Sequence, residues 1–289
     1  MPAMCAAVKL RLLLLLGAFL AAPIAGAFSA DGHRVAGGIA DQHLCPETRD
    51  WLAPLLDGAT LADAGVWADT IRGDPAWEQA APWHFINVGD RESIRRAMRG
   101  SRGNVLTAID RFERELADPR QSRQKRSEAL RFLVHFIADV HQPLHVGRAD
   151  DRGGNDVTVV WGRSSLDLHE FWDARGLLRG GRLTLADQIA AIAPLVTGQA
   201  QAWQGRSAIE WAEESRAFRP FVYAMIGGSE PVRLTPAYVA GARNIVELRL
   251  AQAGVRIAER LNRIACPGMA TEKRSQAIEP AIETVGSTH

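Results

Sequence analysis

The chain has 289 residues, of which 47% are hydrophobic and 23% are charged. This composition is typical of a globular protein and excludes collagen-like, low-complexity and wholly disordered chains. Lys and Arg number 34 against 33 Asp and Glu, and the net charge of +1 excludes a protein that binds a polyanion through bulk basic charge alone.

The first 27 residues have the three-part pattern of a secretory signal peptide. Lys9 and Arg11 precede an apolar run over 12–22, and Ala-Gly-Ala at 25–27 is a small-residue cleavage site of the A-x-A type. The alternative is a membrane anchor, but such a site has no purpose in an anchor. We therefore expect a secreted or periplasmic protein that begins at Phe28 and has no stable membrane association.

Removal of the signal peptide also removes Cys5 and leaves an even pair, Cys45 and Cys266. They lie near the ends of the first and last predicted helices. A disulfide between them would close almost the whole chain and contribute about 4 kcal/mol on the loop-entropy model. The alternative is two unpaired buried cysteines; we expect the disulfide because an exported chain meets an oxidising compartment.

Apolar residues recur at spacings of three and four along most of the chain, which predicts an all-α fold. The predicted helices cover 31–44, 46–57, 60–71, 91–117, 124–141, 166–178, 184–204, 206–227 and 235–264. A short strand is predicted at 156–161, where DVTVVW alternates after a Gly-Gly turn. The arginine-rich stretches 91–102 and 120–131 are interpreted as solvated helix faces. The tail over 267–289 loses its periodicity and is expected to be disordered, which leaves one mostly helical domain over 28–266.

Two pairs of residues with the same spacing predict a metal site. His135 and Asp139 lie four residues apart, which places both side chains on one helix face. His169 and Asp173 repeat the spacing, and His145 follows the predicted end of the first of these helices. Histidine and carboxylate suit zinc, and Asp139 has apolar neighbours among which a carboxylate needs a partner or a metal. A single such pair would more often be an ordinary core or surface pair.

Three further segments carry candidate ligands. VWADTIR places Asp69 and Arg72 three apart on one helix face, and PWHFIN places His84 next to Phe85. DGHR places His33 five residues after the predicted new amino terminus. A deprotonated α-amino group is a competent zinc ligand, and the carbonyl oxygen of the same residue could close a five-membered chelate.

Taken in order, the motifs FSADGH, WADxxR, WHFI, HFIADVHQPLH, GGN and LHxxWD resemble those of the secreted zinc-dependent single-strand nucleases of fungi, plants and bacteria. These are trinuclear-zinc nucleases that are also 3′-nucleotidases, related in fold to zinc phospholipase C. The resemblance spans residues 28 to about 265 and is most specific over 135–155. It implies a single mostly helical domain of the phospholipase C and zinc nuclease type.

The resemblance also implies three zinc ions per chain. The implied ligands are Asp69, His84, His135 and Asp139 for one zinc, His145, His169 and Asp173 for a second, and the backbone nitrogen and oxygen of Phe28 with His33 and the bridging Asp139 for a third.

Other residues match the family's positions for contact with the substrate. The resemblance implies that Asp69 orients the attacking water and that Arg72 steadies the phosphate. It further implies that Asn155 donates a hydrogen bond to the substrate phosphate and that a base stacks on Phe85.

The chain departs from the family at its start. Phe28 stands where the family usually has tryptophan, but a backbone chelate needs no indole, so zinc binding should survive. His141 lies two residues beyond Asp139 and therefore off its helix face, so we expect it beside the ligands or at the surface.

The activity that the resemblance implies is endonucleolytic hydrolysis of single-stranded DNA and RNA to 5′-phosphorylated products by a monomer, with 3′-nucleotidase activity. Two alternatives remain open. A zinc-dependent phospholipase C should show apolar residues on loops near the cleft. A non-catalytic zinc carrier would not need Arg72 and Asn155 beside the metals.

Overall fold

A computed structural model describes residues 28–101, 103–173, 183–227 and 231–266. The predicted signal peptide (1–27) and tail (267–289) lie outside the described residues. None of the helices in these described ranges has the length and apolar character that crossing a membrane requires.

The α-helices are α1 (Ala30–Gln42), α2 (Pro46–Leu56), α3 (Leu61–Ala64), α4 (Trp67–Thr70), α5 (Ile94–Gly100), α6 (Val105–Ala117), α7 (Arg123–His141), α8 (Leu168–Trp172), α9 (Leu185–Val196), α10 (Ala200–Trp203), α11 (Ala208–Ala217), α12 (Arg219–Val222) and α13 (Pro236–Ala265). Two 3₁₀ helices cover Pro75–His84 and Pro143–Val146.

The two longest helices begin and end where local chemistry predicts. The Ser122 side chain accepts a hydrogen bond from the Lys125 backbone N–H at the start of α7, which satisfies a donor that the helix itself cannot pair. Thr235 caps α13 in the same way. α7 ends just before Pro143, which cannot continue a helix. The helices predicted over 124–141 and 235–264 are therefore confirmed to within one residue.

Five predicted helices are wrong in part. Those predicted over 60–71, 184–204 and 206–227 are each interrupted and form α3 and α4, α9 and α10, and α11 and α12. The helix predicted over 91–117 is two helices, α5 and α6. Asn104 ends the connection between them, and its side chain accepts hydrogen bonds from two backbone N–H groups at the start of α6. The helix predicted over 166–178 is helical only over Leu168–Trp172; 164–167 is a strand, and 174–182 lies outside the described residues.

A small sheet follows the Gly-Gly turn. β1 (Thr158–Trp161), within the strand predicted at 156–161, pairs antiparallel with β2 (Ser164–Asp167) and parallel with β3 (Val232–Arg233). The β1–β2 turn contains Gly162 at φ 61°, a backbone conformation that glycine adopts without strain. β2 leads directly into α8, so the hairpin fixes where α8 begins.

The core is built around α7, which packs against α6, α11 and α13. The second half of α7 is buried on all sides, as expected for a helix at the centre of a domain. Phe112 of α6 stacks on Phe132 of α7 with ring centroids 4.5 Å apart, and Phe136 stacks on Phe132 at 5.3 Å. These contacts fix the rotation of α7 about its axis, and so the direction of its polar side chains.

A disulfide joins the beginning of α2 to the end of α13. Cys45 and Cys266 are bonded across a sequence separation of 221 residues. The Asn262 side chain supports the same junction, because it accepts a hydrogen bond from the Cys45 backbone N–H at 3.0 Å and donates one to the His43 carbonyl at 2.9 Å.

A buried network of charged groups holds the carboxyl end of α7. Arg249 and Arg256 of α13 are fully buried, and each binds Glu214 of α11 at 2.6–2.8 Å. Arg249 also donates to the carbonyl of His141 at 3.1 Å, and Ser215 donates to the carbonyl of Val140 at 2.5 Å. The network therefore pairs terminal carbonyl groups that the helix leaves without partners.

His141 belongs to this network. It is fully buried, away from the surface, and burial lowers its pKa well below the usual value. Its Nδ1–H donates to the Ile137 carbonyl at 2.6 Å, which leaves Nε2 to accept from Arg256 at 2.7 Å. His141 thus points away from Asp139, as the helix spacing predicts, and serves packing at the end of α7.

Replacing Glu214 with alanine is expected to lower the free energy of unfolding by about 3–5 kcal/mol, because two buried guanidinium groups would lose their counter-charge. Urea denaturation at constant metal concentration measures this. Glu213→Ala is the matched control: Glu213 is half-exposed on the same helix, 3.8 Å from Arg216, and its loss should cost less than about 1 kcal/mol. Equal effects of the two substitutions would contradict the structural role of the network.

Candidate metal centre and active site

His135 and Asp139 lie on one face of the buried half of α7 and form the centre of the site. Both side chains are fully buried, and His135 Nε2 is 3.1 Å from Asp139 Oδ2. His135 Nδ1 donates to the Gly65 carbonyl at 2.7 Å. This hydrogen bond puts the imidazole proton on Nδ1 and leaves the lone pair of Nε2 directed at the carboxylate, as in metal-binding histidines.

The first group of ligand atoms joins Asp69 of α4 and His84 of the Pro75–His84 helix to this pair. His84 Nδ1 lies 3.0 Å from His135 Nε2 and 2.9 Å from Asp139 Oδ2. Asp69 Oδ1 lies 3.7 Å from His135 Nε2. Two ligands of one tetrahedral zinc are about 3.4 Å apart, given bonds of about 2.0–2.1 Å. The observed separations therefore fit a shared metal ion.

The second group consists of His145, His169 and Asp173. Nδ1 of His145 donates to the His84 carbonyl at 2.7 Å, and Nδ1 of His169 donates to the Gly153 carbonyl at 2.6 Å. Both Nε2 atoms therefore carry lone pairs, yet they lie only 3.2 Å apart. Two lone pairs repel unless a proton or a cation lies between them. Asp173 Oδ1 completes the group at 3.6 Å from His169 Nε2.

The third group lies where the described chain begins. His33 Nε2 is 3.4 Å from Asp139 Oδ1, and its ring stacks on that of His135 at 3.9 Å. Neither ring nitrogen of His33 nor Oδ1 of Asp139 has a hydrogen-bond partner among the described residues. Phe28 is fully buried edge-on to His33, and the Ser29 N–H donates to the Asp173 carbonyl at 2.6 Å. The chain start thus lies beside buried, unpaired ligand atoms.

Burial prepares these groups for a cation. It lowers the pKa of four histidines, so they are neutral near pH 7: His33, His84, His145 and His169, the last to about 4. Burial raises the pKa of Asp139 to about 6 and that of Asp173 well above its usual value. Burial also acts to lower the pKa of His135, but the charges of Asp139 and Asp69 outweigh it and raise that pKa. A bound cation stabilises the ionised form of a carboxyl group most strongly where burial has raised its pKa.

Metal binding is expected to weaken as the pH falls, because protons compete with the metal for His135, whose pKa is raised above that of an ordinary histidine, and for Asp139, whose pKa is about 6. Asp139 is ionised above its pKa of about 6, and below that pH each unit should cost up to about tenfold in metal affinity as a proton competes for the carboxylate. The raised pKa of Asp173 acts in the same direction, whereas His169, with a pKa of about 4, stays neutral. Zinc titration of metal-free protein between about pH 8 and 5 measures this. A pH-independent affinity would contradict it.

A cavity of about 270 Å³ opens beside the ligand groups. His84, His145 and His169 form part of its wall, and so do the three residues expected to contact substrate: Arg72, Phe85 and Asn155. Phe85 is 40% exposed, unlike most large apolar side chains among the described residues. Arg72 Nε lies 3.0 Å from Asp69 Oδ1, which directs the guanidinium along the cavity wall. The cavity therefore combines metal-ligand atoms with a cation, an amide and an aromatic surface.

Asn87 and Arg152 are among the cavity residues that were not predicted. Asn87 lies two residues after Phe85 in an extended segment whose N–H groups at Ile86 and Val88 donate to neighbouring carbonyls. Alternate residues of an extended chain face the same side. The spacing of two residues between Phe85 and Asn87 is therefore the sequence signal that could have identified Asn87 as a cavity residue. Arg152 also lines the cavity, immediately before the Gly-Gly-Asn motif. Its φ of 52° is unusual for a residue with a side chain, and the sequence carries no sign of it.

Gln142 is another residue that the sequence analysis missed. Its side-chain amide donates to Asp173 Oδ1 at 2.8 Å, and its carbonyl oxygen accepts from the Leu144 backbone N–H. It therefore orients a candidate ligand on a distant helix while it shapes the turn between α7 and the Pro143–Val146 helix.

Comparison with known proteins finds relatives that match most of the chain. The S1/P1 nuclease family model matches residues 28–266. Nuclease P1 of Penicillium citrinum is 30% identical over 264 residues, which cover 82% of this chain and 97% of that protein. Endonuclease 2 of Arabidopsis thaliana is 29% identical over 277 residues, which cover 84% of this chain and 92% of that protein.

Proposed function

Because this chain belongs to the S1/P1 nuclease family and is a metal-dependent nuclease, a hydrolase of phosphodiester bonds, we propose that it cleaves single-stranded DNA and RNA to 5′-phosphorylated products. We propose further that it removes the phosphate of 3′-nucleotides. The observation that carries the proposal is the placement of three adjoining groups of ligand atoms beside one cavity, whose wall includes His84, His145 and His169 of the first two groups together with Arg72, Asn155 and Phe85.

The proposed cofactor is zinc, three ions per chain. The donors are imidazole nitrogens and carboxylate oxygens, which suit zinc, whereas calcium and magnesium sites are built from oxygen. The proposed ligands are Asp69, His84, His135 and Asp139 for the first ion, His145, His169 and Asp173 for the second, and Asp139, His33 and the Phe28 backbone for the third. When bound, zinc supplies Lewis acidity, which lowers the pKa of water and offsets phosphate charge.

The cavity residues have distinct proposed roles in the reaction. Asp69 accepts a hydrogen bond from the attacking water and so aims an oxygen lone pair at phosphorus. Arg72, held by Asp69, donates to the non-bridging oxygens, whose negative charge grows in the transition state. Asn155 donates an amide N–H to the same phosphate. The exposed ring of Phe85 receives the adjoining base.

Preference for single strands follows from this arrangement. The reacting phosphate must enter a recessed cavity while a neighbouring base leaves its stack and rests on Phe85. A duplex must first break base pairing and stacking, which costs a few kcal/mol per base, whereas a single strand does not.

We also propose that the protein is exported, cleaved before Phe28, and active as a monomer. The Cys45–Cys266 disulfide supports export, because disulfides persist in oxidising compartments.

The test is an assay of the purified mature protein on single-stranded DNA, RNA, 3′-AMP and phosphatidylcholine, each with and without a chelator. We expect chelator-sensitive cleavage of the first three and none of the lipid. Elemental analysis should give about three zinc ions per chain. An active preparation with one zinc or none would contradict the three-ion centre, and cleavage of the lipid alone would favour a phospholipase.

A further inference from the structure

The surface next to the cavity carries an unbalanced group of cations. Arg91, Arg95, Arg96 and Arg99, on and just before α5, are all exposed, and we call them the α5 arginines. Among the described residues, Arg96 alone of the four has an acidic partner, Glu92 at a distance of 3.9 Å. The sequence of α5 itself, IRRAMRG, contains no acidic residue.

The other arginine-rich stretch differs in this respect. Within 120–131, Arg120 binds Asp118 at 2.9 Å, Arg126 donates to the Leu116 carbonyl at 3.1 Å, and Arg131 lies over the ring of Trp67. The stretch 120–131 therefore fits the interpretation as an ordinary solvated helix face. On α5, by contrast, like charges four residues apart repel and destabilise the helix. A bound polyanion would remove that repulsion.

The chain path keeps α5 close to the cavity wall. Phe85 and Asn87 line the cavity, and only residues 88–93 separate Asn87 from α5. The chain then returns to the same place, because the Val105 N–H donates to the Phe85 carbonyl at 3.2 Å. A helix of seven residues is only about 10 Å long. Ile94 and Ala97 anchor its inner face in the core, so its arginines face solvent on the surface that adjoins this part of the cavity wall.

We propose that the α5 arginines bind the sugar–phosphate backbone of a single-stranded polynucleotide whose reacting phosphate occupies the cavity. This inference rests on the proposed function. A cavity of about 270 Å³ can enclose little more than one nucleotide, so a longer strand must continue over the surrounding surface. Guanidinium groups match phosphate geometry, and contacts with the sugar–phosphate backbone carry no base information, so the contact should be independent of sequence.

The test compares Arg95→Gln/Arg99→Gln with a control, Arg123→Gln/Lys125→Gln. The control removes the same two positive charges from exposed positions at the start of α7, about 18 Å along that helix from His135. Affinity for a labelled thymidine strand of roughly 30 nucleotides is measured by fluorescence anisotropy with the zinc-loaded protein and a cleavage-resistant phosphorothioate version of the strand, so that binding is observed without cleavage. Each assay is repeated between about 50 and 200 mM NaCl.

The slope of log affinity against log salt concentration should fall by about 1.4 in the Arg95/Arg99 variant, because each lost phosphate contact removes about 0.7. The factor by which the affinity of this variant falls below that of the unmodified protein should therefore be about sevenfold larger at the lower salt concentration. With zinc present, the ratio of kcat/KM on the phosphodiester strand to kcat/KM on a dinucleotide should fall as well. The control variant should keep the original slope.

An unchanged slope in the Arg95/Arg99 variant would overturn the inference, and so would an equal fall in the control, since that would indicate bulk charge. If the phosphodiester strand is cleaved but the variant behaves as the unmodified protein, this inference fails and the proposed function stands. If the strand binds through α5 but its phosphodiester form is not cleaved with zinc present, the proposed function fails instead.

Discussion

Asp69→Asn is expected to lower kcat by about a hundredfold or more while the protein remains folded. An amide keeps the size of the side chain but loses the charge that orients the attacking water, and lost general-base action typically costs this much. The same change weakens the contact with Arg72, now 3.0 Å from Asp69 Oδ1, so part of the effect would come from a less well-placed guanidinium. Steady-state kinetics on a single-stranded substrate measures the loss.

Zinc content and the unfolding midpoint must be measured alongside activity, because Asp69 is also a proposed metal ligand. Asp50→Asn is the control, since Asp50 is an exposed carboxylate on α2. A variant that keeps three zinc ions and loses turnover would support the orienting role. Near-normal activity with full zinc content would show that another group orients the water.

Adding one residue before Phe28 is expected to remove about one zinc ion in three and most of the activity. The nitrogen would then belong to a peptide bond, whose delocalised lone pair makes it a poor ligand. Phe28 is fully buried and packs closely on the first turn of α1, where a Cβ added at Gly32 would lie 2.9 Å from the Phe28 Cβ, so the chain start is held beside His33. Matched preparations, exported and processed against Met-extended, are compared by elemental analysis and turnover.

Phe28→Trp with a free amino terminus separates the role of the backbone from that of the ring. It should keep three zinc ions, because only backbone atoms are proposed as ligands, although a larger ring in a closely packed pocket could cost about 1–3 kcal/mol of stability. Equal zinc and equal activity in the processed and extended forms would show that the amino terminus is not a ligand.

Local sequence was enough to predict the elements whose signals are local. α7 and α13 have long apolar periodicity and clear capping residues, and the four-residue spacing of His135 and Asp139 fixes one helix face. β2 was missed because its four residues, SSLD, are too few to establish a period of two and lie next to a helical signal.

Other features depend on contacts between distant segments. His84 Nδ1 lies 2.9 Å from Asp139 Oδ2 although 55 residues separate them, and motif resemblance rather than periodicity brought the two together in the prediction. The burial of Arg249 could not be predicted, because an arginine on a helix is usually solvated. It is buried here because α11 brings Glu214 to it across the end of α7.

The Cys45–Cys266 bond also determines what a protease would leave behind. Every proposed zinc ligand except Phe28 and His33 lies between the two cysteines. One cut of the backbone within that span would therefore produce two polypeptides that stay covalently attached through sulfur. On a non-reducing gel such a nicked molecule would run as a single species, and only a reductant would separate the pieces and allow them to diffuse apart.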